Sequence, residues 1–410
     1  MPFDAYSLLW ALPVFWLIVV TAIVLFFLRD IRRLWREPVL TYPVLIIESD
    51  DWGAGPLVQA SALTDIAGVL RQVWDSVGRT PVLSLALILA VPDGRAIRAD
   101  RGAYHRICLD DPSLAPILRA LMAGESEGIF SLQLHGLEHF WPGTLMSSTD
   151  PAVQCWIREP SLGFTEQLPP HLQSRWIDTA YLPSRPLPDG AVLQAVNEEI
   201  ETYTRVVGHA PTVVVPPTFV WTAVVERAWA ANGIECVSTP GEQYTARGVD
   251  GAIVDGTARI ANGDRSGELT YLVRCDYFEP ARGRGAEHAL RALVRATSEG
   301  RPCILENHRD NFCRDAAVRV RSLRELEELV VGALARFPTL KFVSSSELCR
   351  IFKRRDRQWI LTGFVERSPF FWQRLRHTGR PWKWLKFSGA ALPGELLMLL
   401  APRSSARSHA

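Results

Sequence analysis

The chain has 410 residues, 48% of them hydrophobic, and its 45 Lys and Arg residues nearly balance 44 Asp and Glu residues, giving a formal net charge of +1. This length accommodates one large α/β domain with additional segments. Because the charges nearly cancel, the total charge identifies no partner, and only its distribution along the chain is informative. The seven cysteines (Cys108, Cys155, Cys236, Cys275, Cys303, Cys313 and Cys349) are odd in number and form no CxxC pair. This spacing argues against a disulfide framework or a zinc finger and favours reduced, buried thiols.

The first feature along the chain is an uncharged run at residues 8–28 that is rich in Leu, Val, Ile, Phe and Trp. About twenty such residues can cross a hydrocarbon layer of ~30 Å as a helix, and membrane helices tolerate a proline such as Pro13. A cleaved signal peptide would need a basic start and a small-residue cleavage site, whereas Asp4 precedes this run and large apolar residues end it. We therefore expect residues 1–36 to form a retained transmembrane anchor with a basic flank.

The flank places positive charge on one side of the apolar run. Its cations are Arg29, Arg32, Arg33 and Arg36, opposed by Asp30 alone, and no Lys or Arg precedes the run. The positive-inside rule then predicts that the rest of the chain lies on the cytoplasmic face of a membrane. Reduced cysteines agree with that location.

From residue 44 onward, strand-like apolar runs alternate with amphipathic stretches of helical period. The predicted strands are 44–47, 82–90, 129–134, 212–215, 271–275, 303–305 and 342–343. The predicted helices include 62–74, 114–122, 191–207, 223–231, 286–298 and 323–337. About seven strands alternating with helices predict a parallel α/β barrel, a distorted (β/α)7 barrel over residues 40–350. No Gly-x-Gly-x-x-Gly follows the first strand, which argues against a dinucleotide-binding fold.

Two stretches depart from this alternation. Residues 141–190 are long, Pro-rich and contain aromatic residues, which favours a packed cover near a site over a disordered loop. Residues 351–410 interleave basic and aromatic residues, as segments that bind anionic lipid surfaces do. Nucleic-acid binding uses the same chemistry, and a solvated basic tail is the simplest alternative. The predicted membrane helix favours a membrane-surface tail and no nucleic acid.

Candidate functional groups follow directly on the predicted strands. They are Asp50 and Asp51, His135 and His139, residues 216–219, Asp276, and residues 307–310 including His308 and Arg309. The C-terminal ends of parallel barrel strands meet at one mouth, where chemistry takes place. The sequence therefore predicts that these groups converge.

His135 and His139 are spaced i and i+4, which places both imidazoles on one face if the segment is helical. This is not the His-Glu-x-x-His motif of metalloproteases, since Glu138 adjoins the second histidine. Alone, the pair is equally compatible with a structural role. Together with Asp51 it supplies a two-histidine, one-carboxylate set that can bind a metal, activate water and polarise a carbonyl.

These motifs, taken in order, resemble those of the polysaccharide deacetylase superfamily (the NodB-homology domain, carbohydrate esterase family 4). The Asp-Asp pair after a strand and His-x-x-x-His resemble its first and second motifs. Residues 215–218 resemble the third, 303–308 the fifth and 342–348 the closing strand. The resemblance covers roughly residues 40–350 and implies a NodB-like barrel.

The resemblance also implies roles. Asp51, His135 and His139 would hold a divalent metal, usually Zn²⁺. Asp50 would be the general base, and His308 the general acid that protonates the departing amine. A backbone amide near Thr218 would help to bind the oxyanion.

The chain departs from the family pattern at three points. Val215 and Thr218 stand where the family has an Arg that orients the base and a Tyr, so Arg309 or Arg274 would have to supply the cation. Asp276 matches the orienting acid of the fourth motif only loosely. Trp52 replaces the small residue expected after the Asp pair, and it either walls the sugar site or packs the barrel mouth.

The leading hypothesis is a membrane-anchored, metal-dependent amidohydrolase that removes an N-acyl group from an amino sugar in a polysaccharide or a lipid-linked glycan. Lipid-linked sugar is favoured because both chain ends are expected at a membrane. The first alternative is an inactive sugar-binding or scaffold subunit of a polysaccharide assembly system. The second is glycoside hydrolysis, which needs two carboxylates roughly 5–9.5 Å apart across the sugar. Oligomeric state is not predicted.

Overall fold

The computed structural model describes residues 5–100, 102–254, 256, 259–392 and 394–395. Its strands are β1 Val44–Gly53, β2 Leu83–Ile88, β3 Ala90–Pro92, β4 Arg106–Cys108, β5 Phe130–Leu134, β6 Ile177–Asp178, β7 Arg185–Pro186, β8 Val213–Val214, β9 Cys236–Thr239, β10 Arg265–Ser266, β11 Leu269–Val273, β12 Asp276–Tyr277, β13 Cys303–His308 and β14 Lys341–Phe342.

The helices alternate with these strands over most of the chain. They are α1 Ala5–Phe26, α2 Leu28–Arg36, α3 Val58–Leu70, α4 Gly94–Ala99, α5 Ala115–Ser126, α6 Pro142–Ser147, α7 Pro151–Ile157, α8 Asp189–Val207, α9 Ala223–Ala231, α10 Ala286–Ser298, α11 Asp310–Cys313, α12 Ala316–Arg336, α13 Ser345–Arg354, α14 Phe364–Arg376 and α15 Arg380–Phe387.

The main sheet has the strand order β10-β11-β9-β8-β5-β2-β1-β13-β12, and the seven strands from β11 to β13 are parallel. Strands β11 and β12 lie near opposite ends of this order, although only two residues separate them in sequence. The sheet must therefore curl, and the Cys275 N–H donates to the Ile304 carbonyl across the seam. This curled parallel sheet confirms the predicted α/β class, and its form is a half-barrel where the sequence predicted a distorted (β/α)7 barrel.

The strand predicted at 342–343 is present as the short β14, one residue earlier, and it pairs with the first two residues of β1. The strand that the sequence interpretation missed is β9, which lies between β8 and β11. The sequence signal of β9 is the Asn232-Gly233 turn, which is followed by the short run Cys-Val-Ser-Thr at residues 236–239.

Strand β1 is buried along its whole length because both of its faces meet apolar layers. Leu45 and Ile47 belong to the large cluster between the sheet and the outer helices, whereas Val44 and Ile46 point into the barrel interior. Such a two-sided environment selects a continuous apolar strand. It carries its polar residues only at its C-terminal end.

Four helices near the chain ends, α1, α2, α14 and α15, pack together and are called the terminal helices below. Their shared contacts centre on Leu375, Leu385 and Ala391 and include Ile23 and Leu34. Within the described residues no single helix meets the length and hydropathy requirements for a membrane span, whereas Trp10–Phe26 and Leu28–Arg36 meet them together with a bend of 65°. The crossing and the membrane-surface tail therefore stay predictions, and residue 393 and residues 396–410 of that tail lie outside the described residues.

Candidate metal centre and active site

The two aspartates of β1 face the same site because the strand is distorted between them. In a regular strand, neighbouring side chains point to opposite faces. Asp51, however, has a φ of 72°, and the β1–β2 register shifts between Ser49 and Trp52. A positive φ is uncommon for a residue with a side chain and is maintained only where its surroundings require it.

Gly53 allows the chain to leave this distortion. Its φ is 109°, and a Cβ atom there would lie 2.3 Å from the Ile88 carbonyl oxygen. Glycine is the residue that permits both the backbone angle and the close approach. The sequence Asp-Asp-Trp-Gly thus combines two functional groups with the residue that makes their conformation possible.

The histidines converge through a turn and not through the helix that would have placed both imidazoles on one face. Residues 135–140 are not helical, and Gly136 has a φ of 115°. The imidazole centroids of His135 and His139 lie 4.8 Å apart. The intervening Glu138 points away to accept hydrogen bonds from Arg175 and Tyr104.

Asp51, His135 and His139 place their ligand atoms within 4.8 Å of one another. Asp51 Oδ1 lies 3.5 Å from His135 Nε2 and 3.3 Å from His139 Nε2. Ligands at 2.0–2.2 Å from a tetrahedral zinc ion lie roughly 3.3–3.6 Å apart, so these separations fit a metal.

The chemistry of the donor atoms fits a metal as well. His135 Nδ1 donates to the Val215 carbonyl at 2.7 Å, which leaves a lone pair on Nε2 facing Asp51. Asp51 Oδ1 is buried and has no hydrogen-bond donor among the described residues. Burial lowers the pKa of His139 to about 4, which keeps this imidazole neutral. Two imidazoles and an orphaned carboxylate oxygen therefore form a set of acceptors that can hold a divalent cation.

Arg274, at the end of β11, is the cation that orients Asp50. Its two terminal nitrogens donate to the two Asp50 oxygens at 2.6 and 2.8 Å, and its Nε donates to Glu48 at 2.6 Å. Burial alone would raise the pKa of Asp50, but the Arg274 guanidinium outweighs it and holds the pKa below its ordinary value. The sequence suggested Arg309 or Arg274 as the cation that the third motif, residues 215–218, lacks. The structure shows that Arg274 supplies this positive charge to Asp50.

The third segment supports the site differently from the family pattern. Its Val215 carbonyl fixes His135, and the Phe219 ring lies 5.4 Å from the Arg274 guanidinium carbon. Thr218 has a φ of 52°, and its hydroxyl bonds to that of Ser174 at 2.8 Å. The oxyanion role of the Thr218 amide stays a prediction.

His308 lies beside Asp50, since these two residues are paired in the β1–β13 register. Its Nδ1 donates to Glu279 Oε1 at 2.6 Å, so the nitrogen that can transfer a proton is Nε2, which lies 3.7 Å from Glu306 Oε1. Burial opposes protonation, but the hydrogen bond to Glu279 and the carboxylates of Asp51 and Asp50 raise the pKa of His308 to about 10.

The carboxylate that orients His308 is therefore Glu279, and the assignment of Asp276 to this role is corrected. Asp276 instead accepts from His288 and Arg295, each at 2.7 Å. Glu279 was missed because it lies beyond the end of β12, at the start of a short 3₁₀ turn. Its second oxygen accepts from Asn311 at 2.7 Å.

Trp52 does not line the site. It is fully buried, its Nε1 donates to Ser49 at 2.8 Å, and its ring packs near Phe312. Ser49 donates in turn to Asn307 on β13. Of the two readings left open for Trp52, the structure supports packing at the barrel mouth.

Residues 141–190, called the cover below, close over the mouth as predicted. Glu166 accepts from Arg309 at 2.9 and 2.8 Å, Ser174 bonds to Thr218, and Arg175 bonds to both Glu138 and Glu199. The three candidate metal ligands are no more than 5% exposed beneath the cover. Arg309 thus holds the cover and does not contact Asp50 through its side chain.

Comparison with known proteins gives distant structural matches. No protein-family model matches the sequence, and no curated protein does. The matching solved structures include polysaccharide deacetylases, the superfamily that the sequence motifs indicate. One is a presumed polysaccharide deacetylase from Mycobacterium smegmatis, with 10% identity, a TM-score of 0.41 and coverage of 78% of this chain and 94% of that one.

Two further matches come from the same superfamily. The peptidoglycan deacetylase PdaC from Bacillus subtilis matches with 10% identity, a TM-score of 0.35 and coverage of 79% and 96%. A mutant of a CE4 family pseudoenzyme matches with 10% identity, a TM-score of 0.35 and coverage of 75% and 68%.

Proposed function

We propose that this chain is a metal-dependent deacetylase that removes an N-acyl group from an amino sugar in a polysaccharide or lipid-linked glycan. The observation that carries this proposal is the placement of three units at one barrel mouth. They are the Asp51-His135-His139 set, the Asp50–Arg274 pair and the His308–Glu279 pair. Amide hydrolysis needs an electrophilic centre, a base for water and an acid for the leaving amine, and these units match the three needs.

The acid and base roles follow from the environments of the two side chains. Arg274 keeps Asp50 ionised, so Asp50 can accept a proton from the attacking water. Glu279 keeps His308 protonated, so its Nε2 can protonate the nitrogen of the leaving amine. Asp50 and His308 lie side by side on neighbouring strands, so both can act on the same bound amide.

A divalent metal held by Asp51, His135 and His139 would polarise the acyl carbonyl and lower the pKa of water. Zinc is the proposed ion because two imidazoles and one carboxylate with open positions are its usual catalytic ligands. The Val215 carbonyl maintains the ligand tautomer of His135. Arg274 supports the active over the inactive alternative, because it supplies the cation that the third motif lacks.

We propose further that the terminal helices dock this enzyme on a membrane. Their exposed apolar side chains include Trp10, Phe15, Phe26 and Phe387, the last 88% exposed. Exposed cations flank them on α2 and α15, namely Arg29, Arg32, Arg36, Arg380, Lys383 and Lys386. Apolar residues bordered by cations complement a bilayer with anionic headgroups, each near-surface cation contributing about 1 kcal/mol. The positive flank favours the cytoplasmic face.

Metal analysis and acetate release from an N-acetylated chito-oligosaccharide test the catalytic proposal. Purified chain should carry stoichiometric zinc and release acetate, whereas Asp51→Asn and His135→Ala should lose both. His209→Ala is the matched control, because His209 is an exposed histidine that pairs with Glu125. Unchanged metal content and hydrolysis in the first two variants would refute the mechanism. Bound metal without hydrolysis would favour the sugar-binding alternative.

A further inference from the structure

Arg309 places a buried positive charge at the barrel mouth, directly after His308 in the chain. Its backbone N–H donates to the Asp50 carbonyl at 3.1 Å, which fixes the residue beside the catalytic aspartate. The residue is 1% exposed. Burial opposes its charge, but the carboxylates of Glu166 and Asp51 raise the pKa of Arg309. The guanidinium therefore lies within electrostatic reach of a candidate metal ligand.

The proposed catalytic groups make no use of this guanidinium. Asp50 already receives both terminal nitrogens of Arg274, and His308 is paired with Glu279. The Nη1 nitrogen of Arg309 is buried and has no hydrogen-bond acceptor within the described part of the chain. A buried donor without an acceptor is costly. Such a donor at the mouth of a site indicates a partner that arrives from outside the chain.

Three consecutive residues of the cover contact the Arg309 side chain. The Phe164 ring lies 4.9 Å from the guanidinium carbon, and the Thr165 hydroxyl accepts from Nη2 at 3.3 Å. Glu166 accepts from Nε and from Nη2 at 2.9 and 2.8 Å. This bidentate arrangement is also the one in which arginine binds the carboxylates and phosphates of ligands. Glu166 thus occupies a position that suits an oxyanion from a ligand.

The contact between Arg309 and Glu166 is easier to exchange than the other ionic contacts of the cover. The Glu166 side chain is 27% exposed, whereas the side chains of Arg175 and its partners Glu138 and Glu199 are at most 2% exposed. A carboxylate that reaches solvent loses little when water replaces its partner, whereas breaking a fully buried ion pair is strongly destabilising. Residues 164–166 can therefore leave the mouth while Arg175 holds the rest of the cover.

Substrate entry requires a movement of this kind, because the candidate metal ligands are no more than 5% exposed beneath the cover. When residues 164–166 leave, the Arg309 guanidinium loses its carboxylate beside the position proposed for a divalent cation. Two positive charges close together in a site of low dielectric repel each other strongly. An anionic group that enters with the substrate would offset this repulsion.

We propose that Arg309 binds an anionic group of the substrate, a carboxylate or phosphate carried on the glycan near the N-acylated sugar. This group replaces Glu166 on the guanidinium when residues 164–166 open. The inference rests on the proposed function and narrows its substrate class to acidic glycans. In the absence of such a glycan, Glu166 occupies the anion site and keeps the mouth closed.

Inorganic phosphate tests the anion site without turnover. In calorimetric titrations of the full-length chain, Glu166→Gln should bind phosphate at least about tenfold more tightly than the unaltered chain, because the competing carboxylate is gone. The gain should disappear in Glu166→Gln/Arg309→Lys, which keeps the positive charge but loses the two-nitrogen contact. Glu127→Gln is the matched control, since Glu127 pairs with Arg71 at the surface and should leave phosphate binding unchanged.

Two results of this titration would overturn the inference. One is equal affinity for phosphate in Glu166→Gln and the unaltered chain, and the other is equally tight binding in the double variant. Thermal unfolding shows whether each variant is folded. If the double variant is not folded, the comparison of Glu166→Gln with the unaltered chain and with Glu127→Gln is decisive.

Activity tests the substrate class with three oligosaccharides. They are the neutral N-acetylated chito-oligosaccharide, the same oligosaccharide phosphorylated on its primary hydroxyls, and one in which N-acetylglucosamine alternates with glucuronate. For at least one acidic substrate, kcat/KM of acetate release should exceed the neutral value by at least about tenfold. The preferred acidic substrate distinguishes phosphate from carboxylate.

The Arg309→Lys variant connects that preference to the guanidinium. It should raise KM for the acidic substrate with little change in kcat, as expected when a binding contact shared by the ground and transition states is lost. Equal rates on the neutral and both acidic substrates would refute the inference. If none of the three releases acetate while Glu166→Gln still binds phosphate more tightly, the proposed function is refuted and the anion site stands.

Discussion

The hydrogen bond between His308 and Glu279 makes a quantitative prediction about the pH dependence of the reaction. Replacing Glu279 with Gln retains the side-chain shape but removes the negative charge 2.6 Å from His308 Nδ1. A hydrogen bond to a charged group contributes about 1.5–3 kcal/mol. Since one pKa unit corresponds to about 1.36 kcal/mol, the pKa of His308 should fall by about 1–2 units.

The sign of the effect on activity follows from the proposed role. A general acid must be protonated, so activity falls as the pH rises through its pKa. Glu279 raises the pKa of His308, and its removal should move the alkaline limb of the kcat/KM profile to lower pH by about 1–2 units.

The assay is acetate release from the chito-oligosaccharide across pH, with thermal unfolding as a check on folding. Asp276→Asn is the control, because Asp276 is the acid that the sequence suggested and it contacts His288 and Arg295 instead. An unchanged alkaline limb in Glu279→Gln, or an equal displacement in Asp276→Asn, would refute the reasoning.

Three further outcomes follow from other contacts. Arg274→Lys keeps the charge but loses the bidentate contact with Asp50. We expect kcat/KM to fall by about 10- to 100-fold without loss of folding. An unchanged kcat/KM would show that Arg274 has no role in catalysis. Arg175→Met should lower the free energy of unfolding by about 3–5 kcal/mol in denaturant titrations, because it leaves the buried Glu199 without its cation and Glu138 with Arg106 alone. Arg71→Met at an exposed ion pair should cost under about 1 kcal/mol. Removing bound zinc with a chelator should lower Tm by about 3–4 °C relative to a free metal concentration near 100 times Kd, and Asp51→Asn should show no such shift in calorimetry.

The positions of the candidate metal ligands could be predicted from sequence because these residues follow the ends of predicted strands. Asp51 and His135 stand directly at the ends of apolar strands, and parallel strands bring their ends to one mouth. The backbone conformations that bring these side chains together were harder to predict. The positive φ of Asp51 and the turn at Gly136 depend on close contacts with neighbouring strands and with Arg175, which local spacing does not contain.

The supporting residues were harder to predict because they act over long sequence separations. Glu279 lies 29 positions before His308, and Arg274 lies 224 positions after Asp50. Asp276 was the natural choice since it directly follows an apolar run, but the backbone continues as β12 and turns only afterwards. That turn decides which of the nearby acidic residues contacts His308.

Charge balance explains how the site can differ from the family pattern and still suit the proposed chemistry. Glu48 and Asp50 are buried and share the cation of Arg274, whereas among the described residues Asp51 is within ion-pair distance of imidazoles only. A buried carboxylate without a cation costs several kcal/mol, which a divalent ion at Asp51 would offset. The physical requirement at Asp50 is a guanidinium within hydrogen-bonding distance, and a barrel can supply it from any strand that ends at the mouth. Arg274, which directly follows β11, can therefore take the place of the arginine expected in the third motif. Among the described residues the candidate metal ligands have no such substitute, and their spacing in the sequence matches that of the family motifs.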